Sequence, residues 1–377
     1  LPGLGLPRLG LPGLGLPGLG LPERPAVQLL PKAARRQVLN QHHRLREQPP
    51  AIREPALVTR IAIVGYGNLG RGVETVADQH DDIDVVGVFT RRPVADVKTQ
   101  GTAVLPIADL GAWADEIDVA VLTAGSATDL PELGPAVLRL VNTVDSFDTH
   151  ARIPQYFATM DAVGAESGHL AMVSAGWDPG LFSMNRVLFD AVLPVGDTIT
   201  FWGPGVSQGH SNAVRRIKGV ADAVQYTIPK PEAVANARTG AALSTRDKHS
   251  RVCYVVLAAG ADPEQVQSAI VNMPNYFADY DTTVHFVSAA ELDRGHRQMP
   301  HGGLVVHRAE TSAGTHHVLD FQAELTANPE FTAAVLIACA RAVHRAASER
   351  SGAVTMIDLP LAYYSPRSDA DLRATFW

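Results

Sequence analysis

The sequence contains a glycine pattern that binds dinucleotide phosphates in many proteins. The pattern G-x-G-x-x-G, directly after a β-branched run and directly before a predicted helix, occupies Gly65, Tyr66, Gly67, Asn68, Leu69 and Gly70. The first glycine permits a tight turn, the second lets a pyrophosphate approach the backbone, and the third allows close helix packing. Because the helix N-terminus adds amide donors, we predict that residues 65–70 hold the phosphates of a dinucleotide.

The end of the next predicted strand indicates which dinucleotide is bound. An NAD site usually has Asp or Glu there, about 20 residues after the glycines, to bind the ribose hydroxyls. This chain instead has Thr90, Arg91 and Arg92. A carboxylate would repel a 2′-phosphate, whereas guanidinium groups bind it through charge-assisted hydrogen bonds. The sequence therefore predicts NADP as the cofactor; the alternative is that Arg91 and Arg92 are a solvated surface pair.

Small and polar residues follow two later strands, at the edge where doubly wound sheets bind nucleotides. We expect them to line the nicotinamide half of the cofactor site. They are Thr123, Gly125, Ser126, Ala127, Thr128 and Asp129 after one strand, and Val144, Asp145 and Ser146 at the end of the next. For Ser126 and Asp129, N-capping of a helix explains the residue type equally well.

Three further segments combine Gly, Trp, His and acidic residues in the manner of site loops. They are residues 177–180 (WDPG), 202–211 (WGPGVSQGHS) and 299–303 (MPHGG). The chain resembles the meso-diaminopimelate dehydrogenase family through IAIVGYGNLGRGVE, VDSFDTH, GWDPG, FWGPGVSQGHS, MPHGG and NPEFTA. The resemblance extends from about residue 60 to about residue 365 and leaves the first 57 residues outside it.

The resemblance implies an activity and an assembly. Members of this family transfer hydride from the D-configured centre of meso-2,6-diaminopimelate to NADP and release ammonia. The product is L-2-amino-6-oxopimelate (tetrahydrodipicolinate), and the reversible reaction belongs to lysine and cell-wall precursor metabolism. Such chemistry needs neither a metal nor a protein nucleophile. The resemblance also implies a homodimer.

At the reacting end of the substrate, the resemblance implies two catalytic aspartates. They are Asp148 in VDSFDTH and Asp178 in GWDPG, with Trp177 beside the second. Carboxylates suit an ammonium group: they would orient the amine so that its α-hydrogen faces the nicotinamide, and would accept a proton as the iminium forms. The alternatives are a strand-end turn residue for Asp148 and a helix N-cap for Asp178.

The resemblance also implies a set of residues around the distal, L-configured end. The family-matched positions are Trp202, Gln208, Gly209, Thr227, Arg251, His301 and Asn328. Arg251 would clamp the L-centre carboxylate, with Thr227 and His301 as further donors. Asn328 would add a polar contact, Trp202 would form a wall of the pocket, and the other two would offer substrate contacts. A single His or Arg is more often structural, so the prediction depends on the whole set.

These residues need a sheet whose strand ends meet. Hydrophobic patterns predict strands and helices in alternation: strands at 58–64, 83–89, 119–123, 143–145 and 170–174, and helices from 68, at 130–141 and at 181–193. This alternation predicts an α/β fold with a doubly wound parallel sheet of the Rossmann type. Longer strands at 198–202, 252–257 and 283–287 predict a second, α+β domain for substrate binding and dimerisation.

We predict four regions along the chain. They are a disordered low-complexity extension at 1–57, a dinucleotide-binding domain at 58–178, a substrate-binding and dimerisation domain at 179–328, and a C-terminal helix and tail at 329–377 that packs back on the first domain. The extension is predicted to be disordered because Pro and Gly interrupt its Leu-rich repeat. One hypothesis is that translation begins near Val58; an intact mass of the native protein that includes the extension would refute it.

Composition limits the classes of function. A chain of 377 residues, 46% hydrophobic and 19% charged, can bury the cores of about two domains. Residues 1–57 hold eight of the 32 Lys/Arg and three of the 39 Asp/Glu, so the remainder has a net charge of −12, which argues against nucleic-acid or anionic-membrane binding. Two cysteines without zinc spacing predict no disulfide framework and no metal. Without a long apolar run or a leader, we expect a cytoplasmic enzyme.

Two other functions fit the same sequence. One is an NADP-dependent dehydrogenase or imine reductase of another D-amino acid, since a few changes in the pocket would shift the substrate. The other is a catalytically silent NADP-binding regulator that keeps the fold without turnover. The intact pair of Asp148 and Asp178 and the full distal set argue against the regulator.

Overall fold

A computed structural model describes residues 57–377, so the predicted extension at 1–57 lies outside the described residues apart from Leu57. The strands in chain order are β1 Thr59–Val64, β2 Ile83–Thr90, β3 Val104–Pro106, β4 Val119–Leu122, β5 Asn142–Asp145, β6 Leu170–Met172, β7 Gly196–Trp202, β8 Gly205–Val206, β9 Val220–Pro229, β10 His249–Leu257, β11 Asp281–Phe286, β12 His301–Ser312, β13 Thr315–Leu325 and β14 Gly352–Val354.

Helices connect most of these strands. The α-helices are α1 Asn68–Ala77, α2 Leu130–Leu138, α3 Ile153–Ser167, α4 Phe182–Val192, α5 Gln208–Arg215, α6 Pro231–Thr239, α7 Thr245–Lys248, α8 Pro263–Val271, α9 Ala289–Gly295, α10 Asn328–Ala346, α11 Leu361–Tyr364 and α12 Asp369–Phe376. Segments of 3-10 helix lie at Val94–Asp96, Ile107–Glu116 and His150–Arg152, and a π-type turn at Trp177–Leu181.

The first sheet confirms the predicted doubly wound fold. Seven parallel strands lie in the order β14-β6-β5-β4-β1-β2-β3. Residues 61–64 of the central β1 are fully buried, as expected for a strand covered on both faces. From β1 the chain moves outward to β2 and β3, and then returns to place β4 on the other side of β1. This reversal opens a crevice at the carboxyl ends of β1 and β4, where doubly wound sheets bind ligands.

Helix α10 covers one face of this sheet. Its residues Leu336, Ile337 and Ala340 are fully buried in one cluster with Ile61. The start of α10 approaches α1 closely, since a Cβ on Gly72 of α1 would lie 2.8 Å from the carbonyl oxygen of Pro329. Beyond α10, β14 joins the edge of the sheet next to β6. The C-terminal segment therefore packs against the sheet that the first part of the chain begins.

Two smaller sheets follow the first, in the orders β11-β10-β9-β8 and β13-β12-β7. Their pairings are antiparallel except that of β10 with β11. The strands predicted at 198–202, 252–257 and 283–287 correspond to β7, β10 and β11. The glycines of MPHGG suggested a loop, whereas both lie in β12, where a Cβ on Gly303 would come within 2.8 Å of the Phe201 carbonyl oxygen. The domain boundaries near 178 and 328 stay predictions.

Two classes of feature are absent from residues 57–377. No helix there combines the length and apolar character that a membrane span requires. Over the same residues, no group of three or more His, Cys, Asp or Glu side chains is placed to hold a metal ion.

A buried ion pair joins α10 to the first sheet. The Arg341 guanidinium donates from Nη2 to Asp82 Oδ1 at 2.8 Å and from Nε to Oδ2, and both side chains are nearly inaccessible to solvent. Burial opposes the charged form of the carboxyl, but the guanidinium outweighs it and lowers the pKa of Asp82. The pair is therefore charged in the folded protein at neutral pH.

We expect Arg341→Met to lower the free energy of unfolding by about 3–5 kcal/mol, because it leaves a buried carboxylate without its partner. Urea denaturation at pH 7 measures this loss. Arg238→Met is the control, since Arg238 pairs with Asp320 at the surface, where such pairs contribute about 0–1 kcal/mol. The Asp82 contribution is complete above about pH 4 and is lost as the pH falls through the lowered pKa. Equal losses in the two variants would contradict the prediction.

Candidate functional site

The loop between β1 and α1 has the shape that a pyrophosphate needs. Gly65 has a φ of +95°, a left-handed conformation that favours glycine, and a Cβ on Gly70 would lie 2.6 Å from the Gly65 carbonyl oxygen. A Cβ on Gly67 would meet nothing within 4 Å among residues 57–377 beyond its own chain neighbours, so packing alone does not require glycine there. Gly67 also provides no side-chain cap for α1, which leaves the first amides of the helix available to an anion.

Both arginines predicted to recognise a 2′-phosphate lie beside this loop. Arg92 Nη2 donates to the carbonyl oxygen of Tyr66 at 2.7 Å, and its backbone N–H donates to Thr90 Oγ1 at 3.0 Å. Arg91 Nη2 lies 2.6 Å from Asp129 Oδ1, and this hydrogen bond lowers the pKa of Asp129. These residues border a cavity of about 270 Å³ next to the glycine loop. An incoming phosphate would compete with Asp129 for Arg91.

A larger cavity, of about 490 Å³, opens at the carboxyl ends of the central strands. It brings together residues that the sequence predicted for the cofactor and for the substrate. Those in its wall are Asn68, Leu69, Thr123, Gly125, Ser126, Ser146, Asp148, Trp177, Asp178, Gln208, Gly209, His301 and Asn328. Thr123 and Gly125 border both cavities, so the two adjoin. We call the larger one the main cavity.

Two residues predicted to contact the nicotinamide have a different place in the structure. The side chains of Val144 and Asp145 are fully buried and border neither of these cavities. Asp145 accepts hydrogen bonds from the backbone N–H groups of Phe147 at 2.9 Å and Ser174 at 3.0 Å, and from Tyr156 Oη at 2.9 Å. Burial raises the pKa of Asp145 to about 6. The Asp145 carboxylate therefore points away from the cavities, and its hydrogen bonds to Phe147 and Ser174 join the loop after β5 to the loop after β6.

The turn after β4 contacts the loop that follows β5. Ser126 Oγ accepts a hydrogen bond from the backbone N–H of Asp148 at 2.9 Å. Asp129 accepts one from a backbone N–H four residues earlier and makes no side-chain cap for α2. The side chains of Ser126 and Asp129 therefore bind these loop amides and do not cap α2. Ala127 and Thr128 are exposed in the same turn, outside both cavities.

The two predicted catalytic aspartates have different environments. Asp148 is exposed, whereas the Asp178 side chain is 1% exposed. Arg186 donates from Nη1 to Asp178 Oδ1 at 2.8 Å and from Nη2 to Oδ2 at 2.9 Å, and Trp202 Nε1 donates to Oδ2 at 2.5 Å. Asp178 does not cap α4, whose N-cap is Leu181. Sequence reasoning missed Arg186, for which a spacing of eight residues from Asp178 was the only signal.

Trp177 connects the start of α10 to β12. Its Nε1 donates to Asn328 Oδ1 at 3.0 Å, and Thr332 Oγ1 donates to the same oxygen at 3.1 Å. The Trp177 ring lies 4.7 Å from the His301 ring, measured between centroids. Burial lowers the pKa of His301, so its ring is neutral at pH 7. These contacts form one wall of the main cavity.

Three of the residues predicted around the distal end of the substrate lie outside both cavities. Trp202, Thr227 and Arg251 border neither cavity. Arg251 Nη1 donates to Thr227 Oγ1, and the guanidinium carbon lies 4.1 Å from the centre of the Tyr280 ring. Burial lowers the pKa of Arg251, and burial together with this cation lowers the pKa of His210 to about 4. Arg251 Nε has no hydrogen-bond partner within residues 57–377, so a buried cation retains an unused donor.

Comparison with known proteins shows the family of the chain. The family model of the diaminopimelic acid dehydrogenase C-terminal domain matches residues 176–327. The meso-diaminopimelate D-dehydrogenase of Ureibacillus thermosphaericus is 54% identical over 318 residues, which cover 83% of this chain and 98% of that protein.

Two solved structures have similar folds over nearly the same residues. C. glutamicum DAP dehydrogenase in complex with DAP is 44% identical with a TM-score of 0.79, over 85% of this chain and 100% of the other. An engineered D-amino acid dehydrogenase bound to NADP⁺ is 42% identical with a TM-score of 0.75, over the same shares of 85% and 100%. At this identity and coverage, the chain belongs to the meso-diaminopimelate dehydrogenase family.

Proposed function

We propose that this chain is an NADP-dependent meso-diaminopimelate dehydrogenase. It oxidatively deaminates the D-centre of meso-2,6-diaminopimelate to L-2-amino-6-oxopimelate (tetrahydrodipicolinate), ammonia and NADPH, reversibly, in the diaminopimelate route to lysine. The observation that carries this proposal is the main cavity, where the glycine loop meets both Asp148 and Asp178. The activity named for the U. thermosphaericus relative and the ligands of the two solved structures support the same reaction.

The residues present fit NADP. The backbone of the glycine loop and the N-terminus of α1 would bind its pyrophosphate, and Arg91 and Arg92 would bind its 2′-phosphate. Thr123 and Ser126, at the edge of the main cavity, would border the nicotinamide. When bound, NADP supplies the acceptor for the two electrons and the hydrogen that leave the substrate carbon.

Asp148 and Asp178 would bind the D-centre ammonium together. Asp178 offers a carboxylate fixed by three hydrogen bonds, and Asp148 offers one in contact with solvent. An ammonium held by both carboxylates keeps one orientation, so its α-hydrogen points in one direction. As the amine becomes an iminium, Asp148 is the carboxylate that can pass a proton to solvent.

Arg251 would bind the distal, L-centre carboxylate. It is a buried cation whose Nε has no partner within residues 57–377, and a substrate carboxylate would satisfy this donor. Thr227 and neutral His301 would add hydrogen bonds to the same end. The side-chain oxygen Oδ1 of Asn328 already accepts two hydrogen bonds, so Asn328 would offer its side-chain nitrogen Nδ2 to the substrate. Because Arg251 does not border the main cavity, its contact with substrate requires a shift of its side chain or of β9 and β10.

Assembly and cellular location complete the proposed function. We propose a homodimer, which the family resemblance and the exposed apolar side chains of Val187, Leu188 and Val192 on α4 support. We propose that the enzyme acts in the cytoplasm, where the diaminopimelate route supplies its substrate.

A second candidate function is oxidation of another D-amino acid. The similarity to an engineered D-amino acid dehydrogenase favours keeping this candidate. The two candidates differ at the distal end: a simple D-amino acid carries no second carboxylate for Arg251, whereas diaminopimelate does. Substrate specificity therefore separates them.

The first prediction is that purified protein with NADP at alkaline pH forms NADPH from meso-diaminopimelate. Absorbance at the NADPH band measures this, with D,D- and L,L-diaminopimelate, D-lysine and NAD as controls. We expect turnover only of the meso isomer and only with NADP, because the proposed site has two carboxylates at one end and Arg251 at the other. No NADPH formation from meso-diaminopimelate, together with turnover of D-lysine, would favour the second candidate.

The second prediction concerns Arg251. We expect Arg251→Ala to raise the KM for meso-diaminopimelate and to lower kcat/KM about 10- to 100-fold for each charge-assisted hydrogen bond lost. Steady-state kinetics measures both constants. Arg238→Ala, which removes an exposed arginine that pairs with Asp320, is the control. Near-normal kinetics for Arg251→Ala would contradict the role assigned to it.

The third prediction concerns cofactor choice. Replacing both Arg91 and Arg92 with alanine should weaken NADP binding about 10-fold or more, since it removes charge-assisted hydrogen bonds to the 2′-phosphate. Binding of NAD, which lacks this phosphate, should change little and serves as the internal control. Fluorescence titration of the two cofactors measures the ratio of dissociation constants. An unchanged ratio would count against the assignment.

A further inference from the structure

The ion pair between Asp178 and Arg186 joins a residue of the GWDPG motif to an arginine that lies outside the quoted family motifs. The Asp178 side chain is 1% exposed although it borders the main cavity, and that of Arg186 is 28% exposed. The guanidinium is itself oriented: its Nε donates to Thr200 Oγ1 at 3.0 Å, and its Cζ lies 5.9 Å from the centre of the Phe182 ring. Arg186 is therefore held by β7 and α4 together.

The hydrogen bonds to Asp178 leave little room for another donor. A carboxylate has two oxygens with about four lone-pair sites in total. Arg186 uses one site on each oxygen, at 2.8 Å to Oδ1 and 2.9 Å to Oδ2. Trp202 Nε1 uses the second site on Oδ2, at 2.5 Å. The remaining site is on Oδ1, so a substrate amine can approach Asp178 from one direction.

The ion pair with Arg186 gives Asp178 an electrostatic role different from that of Asp148. The guanidinium balances the negative charge of Asp178, so the pair is close to neutral as seen from the cavity. Asp148 is exposed and makes no ion pair within residues 57–377. Asp148 therefore supplies the net charge that attracts an ammonium, and Asp178 supplies the direction.

We propose that Arg186 is a positioning residue for the reacting amine: by clamping both oxygens of Asp178, it leaves one acceptor site, which sets the orientation of the D-centre ammonium. The inference rests on the proposed function, because it takes Asp178 as an acceptor of that ammonium. A lysine at the same position would keep the charge but not the planar fork, since its ammonium is a point charge on a flexible stem. The amine would then meet an Asp178 that Trp202 still contacts but whose two oxygens are no longer fixed by one guanidinium.

A purely structural role is the alternative, in which the pair only joins α4 to the turn at Trp177–Leu181. The chain offers a matched pair that tests this. Arg341 and Asp82 are also bidentate and are both buried, but they join α10 to the residue before β2, and neither borders either of the two cavities at the site. Replacing either arginine with lysine should lower stability, and more so at Arg341, which is the more buried of the two. Only a positioning role predicts that one of the two changes the reaction.

The experiment compares Arg186→Lys with Arg341→Lys in the full chain. It measures kcat, both KM values, Tm, and the primary isotope effect on kcat with substrate deuterated at the D-centre. We expect Arg186→Lys to lower kcat by about 10- to 100-fold, because misplacement by about 1 Å has an effect of this order. The isotope effect should rise, since hydrogen transfer becomes slow relative to product release, while the KM for NADP stays unchanged. Arg341→Lys should lower Tm only.

Each of the following results would overturn the inference. Arg186→Lys with wild-type kcat and isotope effect would do so and leave the proposed function intact. A kcat loss with an unchanged isotope effect, or one that Arg341→Lys reproduces, would show a structural role. An inactive wild-type chain would overturn the inference and the proposed function together. If Arg186→Lys does not fold, Thr200→Val removes only the anchor of Arg186 Nε; it should show the same kinetic changes in weaker form, and wild-type values would overturn the inference.

Discussion

One buried carboxylate holds the loops on which the site is built. Asp145, at the end of β5, accepts hydrogen bonds from the backbone N–H groups of Phe147 and Ser174. Hydrogen bonds to a charged acceptor contribute about 1.5–3 kcal/mol each, so these two hold the loops after β5 and β6 firmly together. Asp148 follows directly in the first loop, and Asp178 follows four residues after Ser174 in the second. The positions of both proposed catalytic aspartates thus depend on a third aspartate that borders neither cavity.

The remaining parts of the site depend on close packing around the first sheet. Gly72 admits the start of α10 against α1, which brings Asn328 to the edge of the main cavity. There Asn328 accepts a hydrogen bond from Trp177, next to Asp178. A bulkier residue than glycine would push α10 away and open this wall. Side chains that act on one substrate are in this way carried by rigid elements, which keeps their relative geometry within narrow limits.

The sequence predicts the glycine loop between β1 and α1 because the signals for it are local. The glycine loop, its strand and its helix are neighbours in the chain, so their spacing carries the shape of the loop. The Arg91-Arg92 pair needs only one further strand to be placed. The parallel sheet follows from the alternation of strands and helices, and the predicted fold is confirmed. The assignments of individual site residues to roles stay predictions.

The rest depends on pairings between distant residues, which spacing does not reveal. Asp145 turns inward because one of its donors is Ser174, 29 residues away. The partner of Asp178 is Arg186, eight residues later across an irregular turn. The strands β3, β8, β9, β12, β13 and β14 were not predicted; among them, β12 begins with glycines that suggested a loop, and β14 joins the first sheet by pairing with β6, which is far from it in the chain. In each case a tertiary contact decides what the local pattern leaves open.

The most direct test of the central claim is a crystal structure of the full chain with NADP and meso-diaminopimelate. We expect the D-centre nitrogen to lie about 2.7–3.2 Å from Asp178 Oδ1, with the α-carbon facing the nicotinamide in the main cavity. The L-centre carboxylate should contact Arg251. A substrate bound with its L-centre at Asp178, or held outside the main cavity, would contradict the account.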